Sequence, residues 1–88
     1  MNCLFCKIID KSIQSEIIYE NDNVIAFNDI NPQSPIHILI IPKIHIPTLN
    51  DLNAENKSLM GELVFTAKFL AEDLGIDEAG YRLNFNCN

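Results

Sequence analysis

The sequence predicts an α+β fold that combines an antiparallel sheet with one long helix and a short N-terminal helix. Three observations lead to this class. Apolar residues near the N-terminus recur at helical spacing, three short β-branched runs follow them, and a leucine-rich stretch then returns to the helical period. An alternating stretch at the end adds one more strand, so we expect residues 1–88 to form a single small domain.

The first half of the chain predicts a short helix followed by a three-stranded meander. "CLFCKIID" has the apolar spacing of a helix, and "EIIYENDNVIAFND" contains two strand-like runs around Asn21-Asp22-Asn23. Asn and Asp tolerate the backbone angles of a tight turn, which favours a hairpin there. "IHILIIP" predicts a third strand, which Pro42 closes because proline lacks the N–H that a ladder needs.

The second half predicts a helix over about residues 54–74, from Asn53 as N-cap to Gly75 as C-cap. Gly61 in its second turn either lets another element approach closely or is simply exposed. One face of this helix is apolar and comprises Leu59, Met60, Leu63, Ala67, Leu70, Ala71 and Leu74.

The closing stretch "GYRLNFNCN" alternates apolar and polar residues, which is the period of a strand with one buried face. Such a strand needs a neighbour, because unpaired backbone donors and acceptors are costly when buried. We therefore expect another segment or another molecule to supply its partner.

Composition narrows the possible partners. Twelve acidic and six basic side chains give a net charge of −6, which disfavours nucleic-acid binding but leaves small anionic ligands possible. No apolar run approaches the roughly 20 residues of a membrane span, and the N-terminus is too polar after Ile9 for a signal peptide. We expect a cytoplasmic protein without a membrane partner.

The cysteines indicate thiol or metal chemistry, because three is an odd count for a secreted disulfide framework. Cys3 and Cys6 have the spacing of a zinc-binding pair, but two small buried apolar side chains are an alternative. A redox pair is a third reading, although that mechanism needs a strand before the first cysteine, and only two residues precede Cys3.

His45 would be a third zinc ligand, although a histidine beside apolar residues is usually a packing residue. The fourth ligand would be Cys87, solvent or a residue outside these 88. His37 is disfavoured for that role, because it precedes His45 by eight positions at the other end of the third strand, on the order of 25 Å away if extended.

Phe27 and Asp29 are two residues apart in "AFNDINP", hence on one side of an extended segment. An apolar wall beside a carboxylate acceptor suits a nucleoside, with the base on the wall and the ribose hydroxyls donating to Asp29. The alternative is a core phenylalanine followed by an aspartate that starts a turn before Pro32.

Taken together, these motifs resemble the histidine triad (HIT) family, specifically its Hint-like nucleotide-binding branch. The resemblance runs from about Cys3 to Asn86 and depends on the cysteine pair leading into "KII", on "AFNDI" before a proline-rich break, on "HILIIPKIHI", on the leucine-rich helix and on "GYR". It implies a helix packed on a five-stranded antiparallel sheet, of which this chain holds four strands. It also implies homodimers, binding of purine nucleotides such as AMP, and hydrolysis of nucleoside phosphoramidates.

The resemblance also assigns residues by position. Asp29 would accept from the ribose, Asn86 would help position the phosphate, and His37 would support the active site. Zinc would be held by Cys3, Cys6 and His45. The base pocket would be lined by Leu4, Phe5, Ile8, Phe27 and Ile30.

One departure from the family changes the functional expectation. In the family, the last strand carries three alternating histidines, and the central one attacks the α-phosphorus to form a nucleotidyl-histidine intermediate. This sequence contains only His37 and His45, and neither lies in such a motif. We therefore expect a C-terminally incomplete HIT-like domain that is inactive alone; the alternative is a non-catalytic nucleotide-binding or dimerisation module.

Overall fold

A computed structural model describes residues 4–10, 16–29, 32 and 34–85 of the chain. These residues belong to two compact units, Met1–His45 and Ile46–Asn88. The α+β class is confirmed, whereas the expectation of a single domain stays a prediction. In the part of the chain that the structure describes, no helix is long and apolar enough to cross a membrane.

The first unit contains a short helix and an antiparallel three-stranded sheet. Helix α1 spans Leu4–Ile9, and the strands are β1 (Ile17–Glu20), β2 (Val24–Asn28) and β3 (Ile38–Pro42). The strand order is β1-β2-β3, so β2 is the central strand of the predicted meander. The register of β1 against β2 shifts once, between Ile17 and Tyr19.

The hairpin between β1 and β2 turns where the sequence predicts it, and Asn21 closes the turn. Its side-chain Oδ1 accepts from the N–H groups of Asn23 and Val24, at 2.8 and 2.9 Å. Its own N–H donates to the carbonyl of Val24 at 3.0 Å. A short asparagine side chain that bonds nearby backbone in this way is the physical reason for its preference in turns.

The core of the first unit lies where α1 meets the sheet. Ile8 from α1 packs in one buried cluster with Ile25 and Phe27 from β2, and partly buried neighbours surround it: Ile9, Ile17, Leu39 and Ile41. All residues from Val24 to Phe27 are buried. A central strand buried on both faces explains why "VIAF" is continuously apolar rather than alternating.

The second unit begins with two 3-10 turns, Leu49–Asp51 and Ala54–Asn56, and continues into helix α2, Lys57–Asp73. Asn53, the predicted N-cap, caps the second 3-10 turn by accepting from the Glu55 N–H. The helical segment therefore starts at the predicted residue, but its first turn is tighter than an α-helix.

The C-terminal end of α2 lies beside Gly75, the predicted C-cap, but the C-cap is Leu74 and Gly75 is the residue after it. Gly75 has a φ of 74° and donates to the Glu72 carbonyl, while Ile76 donates to the Ala71 carbonyl. These two bonds form a Schellman motif, which needs a residue in the left-handed region and therefore favours glycine. The buried face of α2 consists of Leu63, Thr66, Ala67, Leu70 and Ala71.

Two details of α2 differ from the sequence-based expectation, and a third decides between the two readings of Gly61. Leu74 is exposed rather than part of the apolar face. Thr66 is buried instead, and its hydroxyl is satisfied by donating to the Glu62 carbonyl at 2.7 Å. Gly61 is exposed, with no described atom within 4 Å of a side chain placed there.

The prediction of a fourth strand is wrong for residues 81–85, which form no regular secondary structure. Tyr81, Leu83 and Phe85, the predicted inner face, are each more than 40% exposed. Alternation is a property of side chains, whereas a strand exists only when its backbone is paired, and no described segment pairs with this one. The last three predicted positions, including Asn86 and Cys87, lie outside the described residues.

Candidate functional site

The pairing of β2 with β3 places Asp29 directly opposite His37. The ladder pairs Phe27 with Leu39 and Asn28 with Ile38. The Asp29 N–H donates to the His37 carbonyl at 3.0 Å, which extends the ladder one step beyond the strand ends. Directly opposed residues of an antiparallel pair share a face, so both side chains leave the sheet on the same side.

The side chains of this pair meet at the edge of the unit. His37 Nε2 lies 3.6 Å from Asp29 Oδ2, and the two side chains are 31% and 22% exposed. This distance is longer than a direct hydrogen bond, and the contact is an ion pair when the imidazole is protonated. A half-exposed carboxylate beside an imidazole can bind a ligand that carries hydroxyl groups.

The same face of the sheet is apolar next to this pair. Phe27 lies two residues before Asp29 and is 3% exposed, and it packs with Ile8, which is 5% exposed. One face of the first unit therefore carries a buried apolar cluster with the Asp29–His37 pair beside it. Ligand sites generally combine apolar residues with a small number of polar groups in this way.

The remaining residues assigned to the nucleotide site are not described. The side chains of Leu4 and Phe5, and all of Ile30 and Asn86, lie outside the described part of the chain. Their roles stay predictions. Asp29 and His37 belong to one polar pair, and Ile8 and Phe27 belong to one buried cluster.

A second pair of reactive side chains lies at the other end of β3. Cys6 Sγ from α1 is 3.2 Å from His45 Nδ1, which follows β3 by three residues. Cys6 is half-buried and His45 is exposed. The chain therefore joins residues 39 positions apart at this contact.

The Cys6–His45 geometry fits two adjacent ligands of one zinc ion. Zn–S and Zn–N bonds at a tetrahedral angle place the two donor atoms about 3.5 Å apart. The observed separation is close to this value. Cys3 and Cys87 lie outside the described residues, and the described residues include no group of three or more side chains arranged to hold a metal.

Sequence reasoning missed one charged contact near His45. Lys43 Nζ lies 2.7 Å from Glu20 Oε2, and the Lys43 N–H donates to the Asn23 carbonyl at 2.8 Å. Both bonds hold the end of β3 against the β1–β2 hairpin, two residues before His45. The signal was available, because Glu20 ends one strand and Lys43 follows another at the same edge of a meander.

Comparison with known proteins places these features in a family context. The family model described as "Scavenger mRNA decapping enzyme C-term binding" matches residues 2–88. The chain is 52% identical over 85 residues to the purine nucleoside phosphoramidase of Escherichia coli, covering 97% of this chain and 71% of that protein. It is 45% identical over 85 residues to the 14 kDa zinc-binding protein of Brassica juncea, covering 94% of this chain and 74% of the relative.

Solved structures show the same similarity. A HIT family hydrolase from Legionella pneumophila matches with a TM-score of 0.97 and 49% identity, covering 99% of this chain and 78% of the other. A histidine triad protein from Clostridium difficile matches with a TM-score of 0.96 and 39% identity, covering 100% of this chain and 76% of the other. At these identities, sequence and fold indicate one family.

Proposed function

This chain belongs to the histidine triad family, and from that premise we propose that it binds purine nucleotides such as AMP at the Asp29 end of the sheet. The single observation that carries the proposal is the half-exposed Asp29–His37 pair on the face where Phe27 is buried. A relative of 52% identity that is named for purine nucleosides supports the same ligand class.

In this proposal each residue type has a defined task. The purine base lies over the apolar cluster that contains Ile8 and Phe27, extended by Leu4, Phe5 and Ile30. The ribose hydroxyls donate to the Asp29 carboxylate, because a carboxylate accepts such bonds more strongly than a neutral group does. Asn86 helps to position the phosphate.

The alternating histidine triad that the family resemblance assigns to turnover is not among these 88 residues. In the family reaction, a histidine nitrogen attacks the α-phosphorus and the P–N bond breaks, so that the amine leaves with a proton and water later releases the nucleotide. The two histidines here have other contacts, His37 with Asp29 and His45 with Cys6. We expect the 88-residue polypeptide to bind nucleotide without hydrolysing phosphoramidates, which is the behaviour of a non-catalytic binding module.

Zinc binding by Cys3, Cys6 and His45 is a second part of the proposal. The Cys6–His45 distance supports it, as does the C-x-x-C spacing and the zinc-binding relative. A bound zinc would cross-link α1 to the segment after β3, which adds stability to a unit with a small core. Its chemistry is structural in this proposal.

Homodimer formation in the cytoplasm completes the proposal. Helix α2 exposes Val64, Phe65 and Phe69, with Phe65 72% exposed. Large aromatic side chains on one helix surface are typical of an interface, because their burial removes much apolar area from water. The second copy is the occupant we infer, because the family resemblance implies homodimers.

Titration of the purified chain with AMP tests the central proposal. We expect saturable binding by calorimetry, and weaker binding by Asp29→Asn because the amide is a weaker acceptor than the carboxylate. Glu16→Gln, which also removes one exposed carboxylate, controls for the change in net charge toward an anionic ligand. Absence of AMP binding by the folded wild-type chain would overturn the proposal.

Incubation with adenosine phosphoramidate tests the catalytic part. We expect no release of AMP above a blank, even at protein concentrations that saturate the nucleotide. Turnover that co-purifies with the chain through several columns would show that a nucleophile is present after all.

A further inference from the structure

We propose that His37 is a specificity-determining residue that positions the Asp29 carboxylate, so that the site prefers ribonucleotides to deoxyribonucleotides. The inference rests on the proposed nucleotide binding and assigns a task to a side chain outside the apolar cluster. His37 acts through Asp29 and is therefore a positioning residue.

The backbone is the first observation behind this role. Asp29 and His37 are opposed one step beyond the last ladder pair, and their main chains are joined at 3.0 Å. Neither residue therefore belongs to a freely moving loop end. The position of the carboxylate depends mainly on its side-chain torsions, and the terminal torsion of aspartate is intrinsically broad.

The side-chain contact is the second observation. With Nε2 3.6 Å from Oδ2, the imidazole limits the rotation of the carboxylate on one side. When His37 is protonated, the attraction between opposite charges adds to this restriction. Both side chains remain accessible, so a ligand hydroxyl can reach the carboxylate without breaking the pair.

The consequence concerns the sugar of the nucleotide. A ribose presents two neighbouring hydroxyl donors, and hydrogen bonds to an ionised acceptor depend on direction as well as distance. A carboxylate held in one orientation gains more from these donors than one that rotates. A deoxynucleotide lacks one donor and gains less, so loss of His37 lowers affinity for ribonucleotides selectively.

The contact through Nε2 makes the test sharp. Glutamine places its amide nitrogen about as far along the side chain as Nε2, whereas asparagine reaches only as far as Nδ1. His37→Gln should therefore keep the contact with Asp29, while His37→Asn and His37→Ala should lose it. A role that depends only on bulk or polarity would not separate glutamine from asparagine.

The experiment measures affinities of the whole chain for AMP, 2′-deoxy-AMP and 3′-deoxy-AMP by calorimetry. We expect the wild-type chain and His37→Gln to prefer AMP by about tenfold or more over at least one deoxy analogue. In His37→Ala and His37→Asn this ratio should fall at least about threefold, through weaker AMP binding with little change for the deoxy analogue. Asp29→Asn should remove the preference, and Glu16→Gln should keep it.

Two results would overturn the positioning role while leaving nucleotide binding in place. One is an unchanged ratio of AMP affinity to deoxy-AMP affinity in His37→Ala. The other is a loss of affinity in His37→Ala that is equal for AMP and its deoxy analogues. A wild-type chain that binds no AMP would instead remove the proposed function and this inference together. If His37→Ala does not fold by circular dichroism, equal ratios for His37→Gln and His37→Asn would overturn the role.

Discussion

The two histidines of the chain lie at opposite ends of β3, and they meet their partners by different routes. His37 faces Asp29 because both continue the β2–β3 ladder, so their contact follows from strand register. His45 meets Cys6 because α1 packs on the sheet, which joins residues 39 positions apart. One contact is a product of local pairing, and the other is a product of tertiary packing.

This difference predicts that the two side-chain pairs respond differently to substitutions in the core. The Asp29–His37 pair depends on the pairing of β2 with β3, which are consecutive in the chain and adjacent in the sheet. The Cys6–His45 pair depends on every contact that places α1, including the buried cluster of Ile8 with Phe27. A change that loosens the packing of α1 should therefore separate Cys6 from His45 first.

The largest effect, on the free energy of unfolding and on the side-chain pairs at both ends of β3, is expected from Phe27→Ala. Phe27 is 3% exposed in the cluster that holds α1 to the sheet, and removing its ring costs about 3–5 kcal/mol through lost burial and a cavity. That is a large part of the stability of a chain this short. Urea unfolding followed by circular dichroism measures it. Phe85→Ala, at a side chain 49% exposed, should change the unfolding free energy by less than about 0.5 kcal/mol.

If Phe27→Ala and Phe85→Ala shift the urea midpoint equally, the buried cluster does not stabilise the side-chain pairs at the two ends of β3.

The next largest effect concerns the Cys6 end alone. Cys6→Ser replaces the proposed thiolate ligand with a poor one, so zinc affinity should fall more than about 100-fold, since loss of an outer partner alone costs up to that much. Competition with a chromophoric chelator measures the affinity. Ile44→Ala, an exposed position next to His45, should bind zinc like the wild-type chain. Unchanged zinc affinity in Cys6→Ser would exclude Cys6 as a ligand.

A smaller effect is expected from Asn21→Ala, which acts at the hairpin turn near Lys43. The change removes the acceptor for the N–H groups of Asn23 and Val24 and should destabilise the chain by about 1 kcal/mol. Asp22→Ala, at the exposed neighbouring position, is the matched control and should have little effect. In Asn21→Ala, the rate of amide hydrogen exchange should rise more at Lys43, which lies near the turn, than at Asp29. The reverse order would contradict this assignment.

The smallest effect is expected in the second unit, at Lys68. The Glu72 carboxylate accepts a hydrogen bond from Lys68, and that bond and its charge raise the pKa of the Lys68 ammonium above 10.5. A raised pKa of a cation stabilises the folded state at pH values below 10.5, and this contribution is lost as the pH rises through the folded-state value. Both side chains are exposed, so screening by solvent keeps the contribution small.

Lys68→Gln should therefore lower the melting temperature slightly at pH 7, and the difference from the wild-type chain should vanish at strongly alkaline pH. Lys57→Gln, another exposed lysine of α2, is the control without this carboxylate contact. A difference that grows as the pH rises would have the wrong sign.

Much of the local structure was predictable because short-range rules govern it. The turn at Asn21, the N-cap at Asn53 and the left-handed glycine at Gly75 that ends the helix all occur where the sequence predicts them. Each depends on one side chain and its adjacent backbone. That Asp29 lies opposite His37 was also predictable, because this arrangement requires only that β2 and β3 pair symmetrically about the connection between them.

The predictions that failed depended on pairing or burial beyond the local chain. Alternation in residues 81–85 indicated a strand, but a strand forms only against a partner. Leu74 matched the helical period, yet it is exposed because the helix ends one residue earlier. The Glu20–Lys43 ion pair joins strands that are not neighbours in the sheet, and it was missed although both residues lie at strand ends on the same side of the meander.

By itself, the sequence determined the order of helices and strands, the caps and turns, and the residue types that carry chemistry, because these depend on neighbours a few positions apart. Only the tertiary structure decided that Cys6 contacts His45 and that Phe27 packs in a buried cluster. It also decided that the alternating residues 81–85 are exposed. Distances between remote residues depend on how whole elements pack, and many sequences with the same periodicity can pack differently.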